Sequence, residues 1–450
     1  MAAVTLLPSP ADVRVERIVT LLVLAAPALL LCLPYTGGEV TSHNITPADV
    51  ACAVLVGFCA VQVLRGRTRP LSRRAVVVFA APVVALAAAT VTAGDPATAL
   101  PGLVRYAEVF VLVPVAVLLL VRTAADFRAV ACCLVALALF EGALGVWQYA
   151  TGTGASYMGQ NIRAVGTFGA TDVMGMATVV ALGMVAAVAM GVRPVAGRGR
   201  WWRPGLLIAA GLLTVPLGLS FSRGAWIATA ITLAAVLVFA GWRPLVQVLA
   251  TVTAAAVVVV GGFGVGSDML DQRLNSITQV TETPDQSVLD RYTMWAAAAD
   301  MWRERPATGV GLKGFPAHRD AHASLALSSG SDTGGAGRAF HRQPLLSPHN
   351  MYLLVLSEQG LIGIVGLVGC WLALLALALA RTARAVRRGA AGAECGLVAV
   401  GLLVWQLVDF LYADIGGPST ALTGLVFGLG ACWALGPAFR AGPEEAGARD

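Results

Sequence analysis

The stretch LLSPHNMYLLVLSEQGLIGIVG, residues 345–366, opens on Pro348, His349 and Asn350 and then runs apolar for longer than a loop or a strand requires. Stretches of roughly 17 to 25 apolar residues, each enough to cross a hydrocarbon core of about 30 Å as a helix, recur along the rest of the chain. The 450 residues are 57% hydrophobic and only 12% charged, with mean hydropathy +0.77. A soluble protein cannot cover its surface with so few polar groups. The reading at His349 therefore extends to the whole sequence, which is predicted to be an all-α, polytopic membrane protein.

About twelve spans are predicted, at residues 18–34, 48–64, 75–93, 103–121, 129–149, 171–192, 204–220, 225–240, 245–265, 351–380, 395–411 and 420–436. The first has the length of a signal-peptide core, but no small-residue cleavage site precedes YTGGEVTSHNIT, so it reads as a retained anchor. Three parts follow. Residues 1–265 hold spans one to nine, 266–348 form one large connection, and 349–450 hold the last three spans with a short tail.

Basic residues set the orientation, because cytoplasmic loops retain Arg and Lys. With the N-terminus inside, 20 of the 31 basic residues fall on the inner face, including those of RGRTRPLSRR (65–74), RPVAGRGRWWR (193–203) and RTARAVRR (381–388). The short outer loops at 35–47, 94–101 and 412–419 carry none. Both termini are predicted cytoplasmic and the large connection extracytoplasmic. The net charge of +6 is thus a topology signal, and no nucleic-acid partner is implied. All eight cysteines lie in or beside apolar spans, where they pack as small soft side chains, so neither a disulfide nor a metal is implied. Thirty arginines against one lysine point to a GC-rich bacterial genome.

Loops as long as 266–348 are functional or disordered. Within it, SVLDRYTMWAAAADMWRERP (287–306) reads as an amphipathic helix with Val288, Arg291, Trp295, Ala298 and Trp302 on one face, stopped by Pro306. HASLALSSGSDTGGAGRAFHRQ (322–343) has no period and reads as a mobile lid. Gly309, Gly311 and Gly314 satisfy G-x-G-x-x-G, yet no strand precedes them and no acidic partner follows. They read as a sharp turn carrying the chain back toward the membrane.

Subtracting the inner residues leaves Arg105, Arg163 and Arg223 in or beside spans, where an Arg costs roughly 2.5 to 3.5 kcal/mol on insertion scales. Arg105 reads as a self-neutralising pair with Glu108, one helical turn away. Arg223, in the turn FSRGAW (221–226), and Arg163, in QNIRAVGTFGATD (160–172), read either as interfacial arginines or as forked donors for a phosphate. His349, at a helix start, has the chemistry of a general base near neutral pH. No D-x-D motif and no outer cluster of His with carboxylates occurs, so no metal or cofactor is expected and phosphate chemistry falls to Arg.

These pieces together resemble the O-antigen ligase and O-antigen polymerase superfamily, through RAVGTFGATD (163–172), SFSRGAW (220–226), DRYTMWAAAADMWRERPATGVGLKGF (290–315) and SPHNMYLLVLSEQGLIG (347–363). The resemblance covers about the C-terminal two thirds. It implies a metal-independent, inverting glycosyltransferase of the bacterial plasma membrane that works on the outer face. The donor is a polyprenyl diphosphate-linked glycan; the acceptor hydroxyl belongs to a glycan, lipid or protein. By position, His349 resembles the catalytic base, Arg223 and Arg291 the diphosphate-gripping arginines, and Arg163 a more loosely defined basic position. Asn350, Tyr352 and Glu358 belong to the same block and would support it. The chain has Ala170, Thr171 and Asp172 where the family often shows Asn, a departure that touches any carrier contact there. The rival reading is a transporter or flippase using Glu108, Glu141 and Asp409 at membrane depth. Against it, the halves show no repeat and the polar complexity is concentrated in one loop.

A topology reporter placed within 328–337 should read extracytoplasmic, and fusions after Arg74 and Arg388 cytoplasmic. A cytoplasmic signal from the large connection would overturn the orientation.

Overall fold

A computed structural model describes residues 10–34, 45–241 and 286–439, apart from 69, 158–159, 169–171, 173, 196, 325, 329–330, 336–340 and 344, with a few isolated residues between 242 and 285. The helices are α1 (Pro10–Leu29), α2 (Pro47–Leu64), α3 (Arg73–Val91), α4 (Pro96–Ala107), α5 (Val113–Leu120), α6 (Ala124–Thr151), α7 (Gly175–Gly191), α8 (Trp202–Leu219) and α9 (Arg223–Ala240). After the connection come α10 (Gln286–Glu304), α11 (Phe315–His322), α12 (Met351–Gly363), α13 (Gly369–Arg387), α14 (Ala393–Asp409) and α15 (Thr420–Leu435). Single π turns, Glu108–Leu112 and Ile364–Val368, fuse α4 to α5 and α12 to α13.

Among the described residues, eight helical segments are long and apolar enough to cross a membrane, including Pro96–Leu120 and the 37-residue run Met351–Arg387. Three further helices, α7, α14 and α15, match predicted spans at 16 or 17 residues. The ninth predicted span, 245–265, lies almost wholly outside the described residues. Helix starts are set by local chemistry. Thr46 with Asp49 and Thr123 with Asp126 form reciprocal capping boxes for α2 and α6, each satisfying orphan backbone donors at the first turn.

α7 is buried on every face and packs chiefly against α6 and α8, as an all-round apolar helix must. Small residues allow this: a Cβ at Gly183 would lie 2.2 Å from Ala138, and one at Gly428 2.6 Å from Val117. Below the functional end, Phe110, Trp371, Phe410 and Phe427 form one aromatic cluster, with centroids as close as 4.9 Å. The basic segments gather at the opposite end, where Arg17 pairs with Asp126 (2.9 Å), Arg128 with Glu394 (2.8 Å), and Arg122 donates to the Arg67 carbonyl (2.8 Å).

The membrane part is all-helical as expected, and a small sheet is added to it. Strands β1 (Ala155–Tyr157), β2 (Gln160–Arg163), β3 (Ser331–Gly335) and β4 (His341–Gln343) pair antiparallel in the order β2-β1-β3-β4. Part of the stretch read as an unstructured lid is therefore strand. Its Gly- and Ser-rich sequence lacks strand propensity, and its partner lies more than 170 residues earlier.

α10 forms where the periodicity placed a helix, but its buried face differs. Asp290, Met294, Ala297, Ala298 and Met301 are buried, about one residue round from the predicted stripe, while Arg291, Trp295 and Trp302 lie at its margin. Small and flexible side chains let α10 approach α12, and the bulky ones are left at the edge.

The predicted tenth span is not continuous. At Gly360 the backbone turns to φ 61°, ψ −156°, and the groups freed there are paired with 306–311. Val310 N–H donates to the Ser357 carbonyl (2.8 Å) and Gly311 N–H to that of Glu358 (2.9 Å). In return Leu361 N–H donates to the Pro306 carbonyl (2.9 Å) and Ile362 N–H to that of Ala307 (3.1 Å). The glycine turn thus brings the chain back to the membrane, as read from sequence, and there it replaces the missing turn of α12. A Cβ at Gly360 would lie 2.4 Å from the Ala307 carbonyl carbon and would have to adopt positive φ. Gly360→Ala should destabilise the detergent-solubilised protein by roughly 1 to 3 kcal/mol, read as a lowered Tm against Gly363-proximal surface controls such as Val365→Ala.

Candidate functional site

Four segments far apart in sequence meet at the end of the bundle opposite the basic clusters. The first is the turn between α8 and α9. Phe221 adopts φ 50°, Ser222 caps α9 through Ala225 N–H (3.3 Å), and Trp226 Nε1 donates to the Leu217 carbonyl (2.7 Å), locking the turn shut. Arg223 is thereby fixed as the first residue of α9, where the helix N-terminus adds partial positive charge to the guanidinium. An anion is the natural occupant of such a place.

The second segment holds His349, which is half-buried and left-handed, at φ 49°. Asn350 caps α12, its Oδ1 accepting from Tyr352 and Leu353 N–H (both 3.1 Å) while its Nδ2 donates to the Leu411 carbonyl (3.2 Å). Tyr352 Oη donates to the Leu407 carbonyl (2.7 Å), and Met351 N–H reaches those of Phe410 (2.9 Å) and Ala413 (3.1 Å). Asn350 and Tyr352 thus lash the start of α12 to the end of α14. Glu358, one of the predicted supports, is fully buried at the helix break and accepts from Phe315 N–H (3.2 Å).

The third segment is α10. Trp295 Nε1 donates to the Pro348 carbonyl (2.8 Å), immediately before His349, and Arg291 lies one turn earlier. The Arg291 charge acts on His349. Beside Arg291, Asp290 accepts from both Ser328 N–H (2.8 Å) and Ser328 Oγ (2.6 Å), tying the start of the lid segment to this helix.

The fourth segment, residues 410–419, joins the others. Tyr412 packs on Gly224, next to Arg223; Ala413 accepts from Met351; Asp414 acts on His349; and Ser419 N–H donates to Asp172 Oδ2 (3.1 Å). Burial holds the His349 imidazole below its ordinary value, the Asp414 carboxylate pulls the other way, and Arg291 adds to the lowering. A neutral imidazole between a carboxylate and a guanidinium is a competent proton acceptor. Among the described residues no group of His, Cys, Asp and Glu has the arrangement of a metal site.

Other predicted residues fall elsewhere. Arg163 ends β2, its Cα paired with Ala155 of β1, and the next residue, Ala164, donates its N–H to the Leu219 carbonyl at the end of α8 (3.3 Å). Glu141 is spent on structure: its two oxygens accept from Thr167 Oγ1 (2.8 Å) and Thr167 N–H (2.9 Å), bracing the Gly166–Phe168 turn. Arg105 pairs with Glu108 (3.1 Å), as expected, and with Asp49 as a third member. Two of the three carboxylates invoked for a proton-coupled carrier therefore have local partners. Of the departing residues, Ala170 and Thr171 lie outside the described residues.

Residues 208–368 match the model of the family described as O-antigen ligase. Over those residues the chain is similar to that family. No curated protein matches the chain. The O-antigen ligase match runs from α8 into the π turn after α12, and so contains Arg223, Arg291, His349 and Glu358 but not Asp414. Asp414 is the residue that sequence reasoning missed; the 412–419 loop had been read only for its lack of basic residues. Its one signal was an acidic side chain in a short loop at the same face.

Asn350→Ala removes both the cap and the tie to Leu411. It should lower stability by about 1 kcal/mol. Asn350→Asp keeps the cap oxygen and loses only the donor to Leu411, so its Tm should lie between those of Asn350→Ala and the wild type.

Proposed function

We propose that this protein transfers a glycan from a polyprenyl diphosphate carrier to an acceptor hydroxyl, with inversion at the anomeric carbon and no metal. The observation that carries the reading is the convergence on His349 of Asp414 and Arg291, beside the α9 N-terminus that bears Arg223. Arg223 and Arg291 neutralise the diphosphate as it leaves, and Arg163 contributes charge at the rim. His349 removes the hydroxyl proton as the acceptor oxygen attacks the anomeric carbon. The bond from that carbon to the phosphate oxygen breaks, and its electron pair departs with the diphosphate.

The location suits the substrates. A polyprenyl carrier lies in the bilayer with its diphosphate and sugars at the surface, so base and arginines must stand where apolar helix meets water. The arginine-free outer loops and the gathering of basic segments at the far end support an extracytoplasmic site with both termini in the cytoplasm. The bacterial plasma membrane is the compartment this implies. Ligase and polymerase chemistry need the same grip on the donor and differ in the acceptor.

The test is transfer by reconstituted protein supplied with lipid-linked glycan and acceptor. His349→Asn should bind donor normally yet lose turnover by about 10²- to 10⁴-fold. Arg223→Lys and Arg291→Lys keep the charge but not the bidentate fork, and should weaken both donor binding and transfer. Because burial lowers the His349 value, the protonation step that belongs to His349 should appear in the pH–rate profile below pH 6.5. Near-normal turnover in His349→Asn would refute the base assignment, and translocation of carrier without product would mark a flippase.

A further inference from the structure

At the break in α12, buried polar atoms of Tyr106, Glu358 and Gln359 lie together without hydrogen bonds of normal geometry among the described residues. They are the Tyr106 hydroxyl, Glu358 Oε2, and both side-chain heteroatoms of Gln359. All three side chains are at most 1% exposed. They are neighbours: Tyr106 lies beside the Gln359 amide and within electrostatic reach of Glu358 and Asp414. Asp414 in turn acts on both Glu358 and His349, and its own Oδ2 is buried without a partner among the described residues. Buried polar atoms at such density are ordinarily satisfied by ordered water, above all where a helix is interrupted at membrane depth.

We propose that Tyr106, Glu358 and Gln359 enclose an internal water site that is linked through Asp414 to His349 and receives the proton taken from the acceptor. The inference deepens the assignment of His349 as base and rests on it. The acceptor O–H bond breaks, its electron pair forms the new glycosidic bond, and the proton attaches to one imidazole nitrogen. The proton on the other nitrogen passes to Asp414 and through water to the Glu358 carboxylate, which becomes a neutral acid and leaves His349 neutral for the next turnover. The proton returns to the outer solution when product departs. Charged and titratable groups facing Glu358 are Lys313, Asp414 and Tyr106; those facing His349 are Asp414 and Arg291.

The linkage has a kinetic signature that a packing role would not produce. If base and relay must both be unprotonated, log kcat on the acid side should steepen toward a slope of two. Glu358→Gln keeps the oxygen that accepts from Phe315 N–H, so the helix break should survive. We expect it to leave the donor KM unchanged, to lower kcat by about tenfold, and to reduce the acid slope to one, with part of the rate restored by added imidazole as a diffusible proton acceptor. Tyr106→Phe should lower kcat in the same direction by less. The measurement is the pH–rate profile of transfer in membrane vesicles carrying the native donor and acceptor. A Glu358→Gln profile indistinguishable from wild type would overturn the relay, as would a loss that tracks a fallen Tm and ignores imidazole. Full turnover in His349→Ala would instead remove the base beneath the relay; an inactive His349→Ala with an unchanged Glu358→Gln would remove the relay alone.

Discussion

A lipid-facing backbone has no water to satisfy its amides, so a helix can be interrupted at membrane depth only if another segment supplies the missing partners. In this protein that segment is 306–311, which exchanges four backbone hydrogen bonds with α12 around Gly360. The exchange does more than repair a defect. It lies between α10 and α11, so the helix bearing Arg291 and the helix that follows His349 are riveted to each other through main chain. Side chains then refine the fit, with Trp295 on Pro348 and Glu358 on Phe315.

The 410–419 segment completes the arrangement from the other side. Each contact it makes is modest: a backbone bond to Met351, a ring against Gly224, an amide on Asp172. Together they bring Arg223, His349 and Asp414 to one mouth, although no two of the segments are neighbours in sequence. Three non-glycine residues hold positive φ at that mouth or its supporting turn, Phe221, Lys313 and His349, and each falls in one of the motif segments. Strain of this kind survives only where surroundings over-determine it, and it concentrates at functional sites.

Much of this was legible in the chain. Apolar runs located the spans, capping residues their starts, and the spacing of Arg223, Arg291 and His349 within recognisable blocks the candidate site. What escaped were facts that depend on pairing across distance. Nothing local to SEQGLIG announces that Gly360 breaks a helix, since the replacement partners sit some fifty residues earlier. The strands are three to five residues long, and β3, SDTGG, lacks strand propensity, so neither length nor composition marked them. α10 was rotated by about one residue because its periodicity weighted tryptophan as core, whereas close approach to α12 selects Met and Ala. Glu141 drew attention as a charge in a span, and only the turn it braces explains it.

Two hairpins, one following α6 and one from the large connection, are joined through the β1–β3 ladder, while His349, Arg223 and Arg291 sit on or beside helices of the bundle. The sheet is thus an appendage in the mechanical sense, anchored by the Asp290–Ser328 tie on one side and the end of α6 on the other. A shift in the pairing of these hairpins would therefore move the sheet without moving the four backbone bonds that join 306–311 to α12.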